Sequence, residues 1–234
     1  MLNLSLSGAP ETILLLGAHC DDIEIGCAAT VLYLIDNFPD AHFEWIVFSS
    51  SPARAREASR SANRLLASAI SKNVVIENFR NGYFPYIGEQ IKDYFESLKT
   101  RISPDLILTH HLDDRHQDHR TLAEFTWNTF RNHFILEYEI PKYDGGLGTP
   151  NCFIPVTQER ADTKISTLMD CFVTEIAKSW FTPETFSAML RLRGVESNSP
   201  TGLAEAYYCR KISLHPSGSE SPERMFHQHP PLSK

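Results

Sequence analysis

The sequence lacks the surplus of basic residues that nucleic-acid binding requires. Its 234 residues include 22 Lys and Arg against 29 Asp and Glu, so the formal net charge is −7. A protein that binds the phosphate backbone needs a basic face to neutralise phosphates. The composition therefore argues against nucleic acid as a partner and leaves a small-molecule substrate open.

Long hydrophobic runs are also lacking. The longest apolar run near the start covers residues 13–18, which is far shorter than the roughly 20 residues that cross a bilayer. The N-terminal segment has no basic leader, and its apolar run leads straight into acidic residues, unlike a signal peptide. We expect no membrane span and a cytoplasmic location.

Cysteine is scarce, and its spacing argues against two kinds of site. The five cysteines are an odd number and contain no Cys-x-x-Cys pair: Cys20, Cys27, Cys152, Cys171 and Cys209. Neither a disulfide framework nor a thiolate-rich zinc site fits this pattern. We expect most of these cysteines to be small buried hydrophobic residues.

Apolar strands alternate with helical segments over the first two thirds of the chain. Strand-like runs occupy residues 11–18, 43–48, 73–79 and 104–110, and helical patterns occupy residues 23–36, 53–69, 87–101 and 120–133. This alternation predicts an α/β fold with a mostly parallel sheet.

The remainder of the chain is less regular. Residues 137–142 are a candidate strand, residues 143–148 a flexible loop long enough to form an active-site wall or lid, and residues 155–179 a helical region. The last residues are rich in Ser, Pro, Glu and His, and few of them can join a core. We expect one domain over residues 1–214 and a disordered tail over residues 215–234.

A first polar cluster follows the first predicted strand. It reads His19-Cys20-Asp21-Asp22 and lies where open α/β sheets bind ligands, beyond the carboxyl end of a strand. Adjacent buried carboxylates are costly unless a cation compensates them. Taken alone, the cluster is explained equally well as a helix N-cap with a solvated neighbour.

A second polar cluster, from His110 to His119, follows the fourth predicted strand. His116 and His119 are three residues apart and share one face of the next helix. A His-rich segment alone is more often a polar surface turn, but two such clusters at equivalent strand ends favour a shared metal. Two His and one Asp without thiolate suit a catalytic zinc, with Fe(II), Co(II) or Mn(II) as alternatives.

Both clusters resemble a known family. The segment Ala-His-Cys-Asp-Asp at residues 18–22 resembles the Ala-His-Pro-Asp-Asp signature of the PIG-L/LmbE-like zinc deacetylases, and residues 114–120 resemble its second signature, His-Pro-Asp-His. The resemblance extends over about residues 12–133 and more loosely to residue 208. It implies a single Rossmann-like domain with helices on both faces of the sheet. It also implies hydrolysis of N-acetyl groups, mostly from N-acetylglucosamine-type sugars on lipid, inositol, thiol or antibiotic carriers.

The resemblance implies a role for each matching residue. The implied metal ligands are His19, Asp22 and His119. Asp21 is the implied general base, and His116 is implied to stabilise or protonate the developing tetrahedral intermediate. Asp118 is implied to support His116 or the metal shell.

Substrate contacts are expected at three positions. Arg54 (or Arg56) stands where the family often has a substrate-binding arginine, although a solvated helix face with Glu–Arg pairs explains it equally well. Asn81 stands where an aspartate commonly contacts the sugar, and Tyr83 is a further candidate. Asn81, and Cys20 in place of the signature proline, depart from the family's pattern. Because neither is an implied metal ligand, these departures put the identity of the substrate in doubt more than the reaction.

Other functions stay open beside the deacetylase. One is an amidase on a non-sugar N-acyl substrate, and another is a catalytically silent metal-binding relative, against which the retention of Asp21 and His116 argues. A nucleotide-binding oxidoreductase fits poorly because no Gly-x-Gly-x-x-Gly follows the first strand. A Cys20 nucleophile is disfavoured because the neighbouring carboxylates oppose thiolate formation. The sequence also leaves a homo-oligomer open.

Overall fold

In a computed structural model of the chain, seven strands form one sheet. The structure describes residues 6, 8–141 and 143–213. The strands are β1 Thr12–Gly17, β2 His42–Val47, β3 Ser71–Ile76, β4 Leu106–His110, β5 Phe134–Tyr138, β6 Cys152–Pro155 and β7 Ala204–Tyr208. Their order across the sheet is β3-β2-β1-β4-β5-β7-β6. Strands β1 to β5 pair in parallel, whereas β7 runs antiparallel to both of its neighbours.

Helices connect these strands and cover the sheet. Over the residues just given, the α-helices are α1 Asp22–Asn37, α2 Pro52–Leu65, α3 Gly88–Arg101, α4 Gln117–Thr129, α5 Gln158–Cys171 and α6 Pro183–Glu196. A single turn of 3₁₀ helix, Phe84–Tyr86, precedes α3. None of these helices is long and apolar enough to cross a membrane.

Alternate residues of a strand face opposite layers of helices. In β1, Ile13 and Leu15 join the core that includes residues of α1, α2, α5 and α6, whereas Leu14 and Leu16 join the core that includes residues of α3 and α4. Side chains along a strand alternate with a period of two. A strand that is apolar at every position must therefore be covered on both faces. The predicted α/β sheet, mostly parallel and with helices on both faces, is confirmed.

The order of the strands reverses between β1 and β4. The chain adds β2 and β3 on one side of β1 and then crosses to place β4 on the other side. The register of this pair joins Ile13 to Leu106 and Leu15 to Leu108. The carboxyl ends of β1 and β4 therefore flank the crevice in which such sheets bind ligands. Each of the two polar clusters follows one of these ends.

A break in α1 is repaired by residues from the last third of the chain. Cys27 has φ −149° and ψ 17°, which are not helical values. Three backbone groups near the break bond outside the helix: the N–H groups of Ala29 and Thr30 and the carbonyl of Ile25. Glu205 on β7 accepts from the two N–H groups at 3.1 and 2.7 Å, and Lys164 on α5 donates to the carbonyl at 2.6 Å. Lys164 and Glu205 also pair with each other at 2.6 Å, so the buried backbone groups are satisfied.

Several predicted boundaries were wrong. The helix expected at residues 53–69 ends at Leu65, and the helix expected at residues 120–133 begins at Gln117 because His116 caps it. The strand expected at residues 137–142 is β5, which ends at Tyr138, shortly before Pro141, whose ring nitrogen has no N–H for a sheet ladder.

The last third of the chain departs most from expectation. The helical region expected at residues 155–179 contains the end of β6 and then α5, which ends at Cys171. Strands β6 and β7 and helix α6 were not predicted. The loop expected at residues 143–148 is without helix or strand at the positions described. The tail expected at residues 215–234 lies outside the described residues.

Candidate metal centre

The loop between β1 and α1 is a tight turn that places two side chains next to each other. Asp22 begins α1, and its Oδ2 accepts the backbone N–H of His19 at 2.6 Å. A Cβ atom on Gly17 would lie 3.0 Å from Ile23 and 3.1 Å from the carbonyl oxygen of His19, so the turn has little room for a larger residue. As a result, Nδ1 of His19 and Oδ2 of Asp22 lie 3.3 Å apart.

The loop between β4 and α4 is held by its own side chains. His116 caps α4, and its Nδ1 accepts the backbone N–H of Asp118 at 3.2 Å. Asp114 Oδ1 accepts the backbone N–H of His116 at 2.7 Å, and Arg120 donates to the Asp114 carbonyl at 2.8 Å. The cap places the rings of His116 and His119 4.6 Å apart, nearly parallel.

Three donor side chains from the two loops meet at distances that suit zinc. Nδ1 of His19 lies 3.1 Å from Nε2 of His119 and 3.3 Å from Oδ2 of Asp22. Nε2 of His119 lies 3.4 Å from Oδ1 of Asp22. In a tetrahedral site with zinc–ligand bonds of about 2.0–2.1 Å, neighbouring ligand atoms are about 3.3–3.4 Å apart. The three predicted ligands therefore lie together, at separations that an ion of this size could bridge.

A second carboxylate lies behind each histidine. Nδ1 of His119 is 3.0 Å from Oδ2 of Asp114, and Nε2 of His19 is 3.3 Å from Oδ2 of Asp118. A carboxylate at one ring nitrogen holds the proton there and leaves the other nitrogen free to bind a metal. The two other nitrogens then face each other beside Asp22, where either a proton or a metal ion can lie between them.

Charge in the cluster favours a cation at the same point. Burial by itself lowers the pKa of His19, but Asp22 and Asp118 outweigh burial and raise that pKa to about 10. Burial lowers the pKa of His116 to about 4, and the charge on His119 and His19 acts in the same direction. The cluster therefore attracts positive charge to the donors and keeps His116 neutral near pH 7.

Asp118 joins the cluster to the loop that carries two predicted substrate contacts. Its two oxygens accept the backbone N–H groups of Gly82 at 2.6 Å and Phe84 at 3.2 Å. Asp118 thus supports His19 through its side chain and His116 through its backbone N–H. Asn81 and Tyr83 flank Gly82; the first is exposed, and the second is 40% exposed. Each is a sequence neighbour of Gly82, whose backbone N–H bonds directly to Asp118.

Asp21 and Arg54 form an ion pair beside the donors. Nη2 of Arg54, on α2, donates to Oδ1 of Asp21 at 2.7 Å, and Nη1 donates to Oε1 of Glu175 at 2.6 Å. Burial raises the pKa of Asp21, with Arg54 acting against the rise and Asp22 adding to it. The alternative arginine, Arg56, is exposed, so Arg54 is the one that reaches the site.

Three residues of the site received no role in the sequence analysis. His110 is fully buried, its ring stacks on His119 with centroids 3.9 Å apart, and its Nε2 lies 3.1 Å from Oδ2 of Asp22. With Asp22 and His119 it forms a second candidate ligand set, beside that of His19, His116 and His119. Asp114 and Glu175 were also missed. His110 and Asp114 lie inside the second cluster, but nothing in the sequence marks Glu175, which is far from either cluster.

The loop expected to form a wall lies next to the second cluster. A Cβ atom on Gly146 would lie 3.4 Å from Arg115, and one on Gly148 would clash with the hydroxyl of Tyr208. Arg193 also donates to the carbonyl of Gly148 at 3.2 Å. Beside this loop is a cleft of about 460 Å³, lined by His111, Asp113, Gly148, Thr149, Asn151, Tyr208, Cys209 and Arg210. The use of the loop as a wall stays a prediction.

The sequence matches one family model. The model is PIG-L, described as GlcNAc-PI de-N-acetylase, and the match covers residues 14–130. This range is half of the chain and includes both loops that supply the donor atoms. A comparison with curated protein sequences gives no significant match.

Solved structures share the fold at low sequence identity. N,N'-diacetylchitobiose deacetylase from Pyrococcus horikoshii is 17% identical, with a TM-score of 0.62 over 86% of this chain and 84% of that chain. The zinc-inhibited form of teicoplanin deacetylase Orf2 is 11% identical, with a TM-score of 0.64 over 84% and 97%. GalB, the 4-carboxy-2-hydroxymuconate hydratase from Pseudomonas putida KT2440, is 13% identical, with a TM-score of 0.70 over 89% and 100%. The fold is therefore one that both deacetylases and a hydratase use.

Proposed function

The chain belongs to the PIG-L family, and from this membership and the donor geometry we propose that it is a zinc-dependent hydrolase that removes an N-acetyl group. The substrate class is an amino-sugar compound, either an N-acetylglucosamine-type glycoconjugate or a nucleotide sugar. The observation that carries the proposal is the close approach of donor atoms from His19, Asp22 and His119: Nδ1 of His19 and Nε2 of His119 are 3.1 Å apart, and each lies 3.3–3.4 Å from one oxygen of Asp22. A carboxylate and a histidine that are not needed as ligands, Asp21 and His116, lie next to these donors in the chain.

The metal would be held by Nδ1 of His19, Nε2 of His119 and the carboxylate of Asp22. When bound, zinc supplies a Lewis acid and lowers the pKa of water to about 7. Fe(II), Co(II) and Mn(II) accept the same imidazole and carboxylate donors. Asp114 and Asp118 hold the distal ring nitrogens of the two histidines, and this orients both imidazoles toward the metal.

Asp21 and His116 are proposed to carry the proton transfers. Asp21 is a carboxylate with a raised pKa, which brings it closer to the pH range in which a general base works well. It takes the proton of the water that attacks the amide carbonyl. The Nδ1 of His116 accepts a backbone N–H, so its proton is on Nε2, from which neutral His116 donates to the developing oxyanion. Asp21 then delivers the proton it took from the water to the leaving amine, because neutral His116 would become an imidazolate if it gave up its own.

The rim residues are proposed to bind the sugar. Asn81 offers an amide to sugar hydroxyls, and Tyr83 offers a partly exposed ring, over which the Arg80 guanidinium lies 3.5 Å from the ring centroid. Arg54 contributes at the inner end of the site, beside Asp21. Because the loop of Asn81 and Tyr83 is bonded to Asp118 through Gly82, substrate contacts and metal shell are held in one arrangement.

The first experiment is acetate release by the purified protein from a panel of N-acetylated sugars, nucleotide sugars and glycolipids, with zinc-loaded and chelated samples compared. We expect zinc-dependent release from at least one member. The variant Asp113→Asn serves as a control, because this carboxylate lies in the second loop but its side chain is 80% exposed. Release only from non-sugar N-acyl compounds would replace the sugar proposal with an amidase. No release from a verified zinc-bound protein would favour a silent relative.

The hydratase among the structural neighbours defines a second candidate chemistry. Hydration of a double bond and hydrolysis of an amide both need an activated water, so the metal centre alone does not distinguish them. The two reactions differ in products, because only hydrolysis releases acetate and a free amine. The same zinc-loaded protein should therefore also be tested on unsaturated carboxylic acids by loss of ultraviolet absorbance. Hydration without any acetate release would overturn the deacetylase proposal.

A further inference from the structure

We propose that Glu175, in the segment between α5 and α6, is a positioning residue that holds Arg54 and through it orients Asp21. The inference rests on the proposed function, because Asp21 is the general base of that proposal. Glu175 lies outside residues 14–130, the range of the family match. It therefore lies in the C-terminal third of the chain, which the family match does not cover.

The contacts form a continuous chain of three side chains. Arg54 donates from Nη1 to Glu175 at 2.6 Å and from Nη2 to Asp21 at 2.7 Å. The two carboxylates are 3% and 6% exposed. A guanidinium has a planar array of donors, so two partners at its two Nη atoms define its orientation better than one partner does. Without Glu175, Arg54 would keep only Asp21 and could rotate about that single contact.

The same contacts argue against Arg54 as a binding site for a charged substrate group. Both of its Nη atoms are bonded to buried carboxylates, so its positive charge is already balanced by two negative charges. A substrate phosphate or carboxylate at this point would place a third negative charge beside Asp21 and Glu175, which like-charge repulsion disfavours. We therefore assign Arg54 to the orientation of Asp21, with any substrate contact at this point being to a neutral group.

A second contact anchors the segment independently and supplies a matched control. Glu57, one turn after Arg54 on α2, accepts the backbone N–H of Thr174 at 3.0 Å and its hydroxyl at 2.7 Å. The variant Thr174→Val removes the hydroxyl bond one residue before Glu175 and leaves the chain from Glu175 to Asp21 intact. It tests whether loosening the segment is enough to change turnover.

The kinetic test compares Glu175→Ala and Glu175→Gln with Thr174→Val. We expect Glu175→Ala to lower kcat about tenfold to a hundredfold, as small misplacements of a reacting group do, with KM within about twofold and zinc content unchanged. The isosteric Glu175→Gln should recover part of the loss, because its amide oxygen still accepts from Arg54. Thr174→Val should keep kcat and lower only the melting temperature. An equal loss of kcat in Thr174→Val would overturn the proposal.

A double-mutant cycle tests whether Glu175 acts through Arg54. If it does, adding Glu175→Ala to Arg54→Ala should change kcat by less than about twofold. The reason is that two substitutions that remove the same interaction do not have additive effects. Full additivity of the two losses would show that Glu175 acts by another route.

A measurement without turnover separates this inference from the proposed function. In wild-type protein the Nη groups of Arg54 should give separate NMR signals, because the ion pairs to Asp21 and Glu175 restrict rotation of the guanidinium; Arg54→Lys assigns them. In Glu175→Ala we expect these signals to average, and in Thr174→Val to stay separate. If the wild type released no acetate, the proposed function would fail, and the signals alone would decide whether Glu175 orients Arg54. Unchanged signals in Glu175→Ala would overturn the inference.

Discussion

The two parts of the chain use their buried polar residues differently. Up to Tyr138, polar residues of two loops converge on one point at the end of the parallel strands, where they form the candidate metal centre. After Tyr138, buried polar residues satisfy backbone groups and charges that the first part leaves open. Lys164 and Glu205 satisfy the break in α1, and Glu175 pairs with Arg54. The difference indicates that the first part carries the chemistry and the second part supports it, so substitutions in the two parts should change different quantities.

The largest expected effect is in the first part, at a proposed ligand. His119→Ala removes one of three donors and leaves Asp114 without its histidine partner. We expect the purified variant to lose zinc and acetate release together, while circular dichroism still shows a folded protein. Metal analysis and the acetate assay on the same sample check this. Full zinc occupancy in His119→Ala would show that the ligand assignment is wrong, and it would also exclude the set with His110, which shares His119.

The next effect separates holding a metal from using it. Asp21→Asn keeps the size of the side chain and a partner for Arg54 but removes the base. We expect zinc content to stay at the wild-type level and kcat to fall by about 10²- to 10⁴-fold, the usual contribution of general acid–base catalysis. Stopped assays of acetate release with metal analysis measure both. Near-normal turnover would show that Asp21 is not the general base. The proposed role of Arg54, which is to orient Asp21 for catalysis, would then be wrong as well.

A substitution in the second part should change stability and leave chemistry unchanged. Lys164→Met leaves Glu205 buried without its cation and frees the carbonyl of Ile25. Breaking a buried ion pair from one side costs about 3–5 kcal/mol. We expect a loss of this size in the free energy of unfolding, measured by urea titration, with kcat per folded molecule unchanged.

The control for this prediction is the ion pair of Arg160 with Asp36, which lies on the surface and also joins α5 to α1. Arg160→Met should cost about 0–1 kcal/mol, as exposed pairs do. Equal costs in the two variants would show that burial of the Lys164 pair is not what stabilises α1. A fall in kcat per folded molecule in Lys164→Met would show that residues after Tyr138 also affect the chemistry.

The sequence predicted the first part well because its signals are local. Uninterrupted apolar runs mark strands buried on both faces, and a polar cluster directly after such a strand marks a ligand site in this class of sheet. The three predicted ligands lie together for this reason. His110 was quoted within the second cluster without a role, because the sequence does not show that its ring stacks on His119.

The second part could not be predicted because its residues act over long separations in the chain. Glu205 accepts from Ala29 and Thr30 more than 170 residues earlier, and the break at Cys27 that requires it leaves no mark in a helical pattern. β6 is a short, partly exposed edge strand, and β7 is buried but reads Ala-Glu-Ala-Tyr-Tyr, which is not an uninterrupted apolar run like that of β1. In the sequence, Glu175 is one acidic residue among many, and only the fold brings it into contact with Arg54.

The smallest expected effect is also in the first part, and it tests whether Asp118 binds the metal itself or orients a histidine that does. Asp118→Asn removes the charge behind His19, yet its amide oxygen still accepts from Gly82. Loss of a carboxylate behind a ligand histidine weakens metal binding by about 10- to 100-fold, which chelator competition with zinc measures, and Asp114→Asn should weaken it similarly through His119. If Asp118→Asn abolished zinc binding as His119→Ala is expected to do, then Asp118 would itself be a ligand and His19 would bind through Nε2. An effect within the expected range places Nδ1 of His19 on the metal and keeps Asp118 as the residue that orients it.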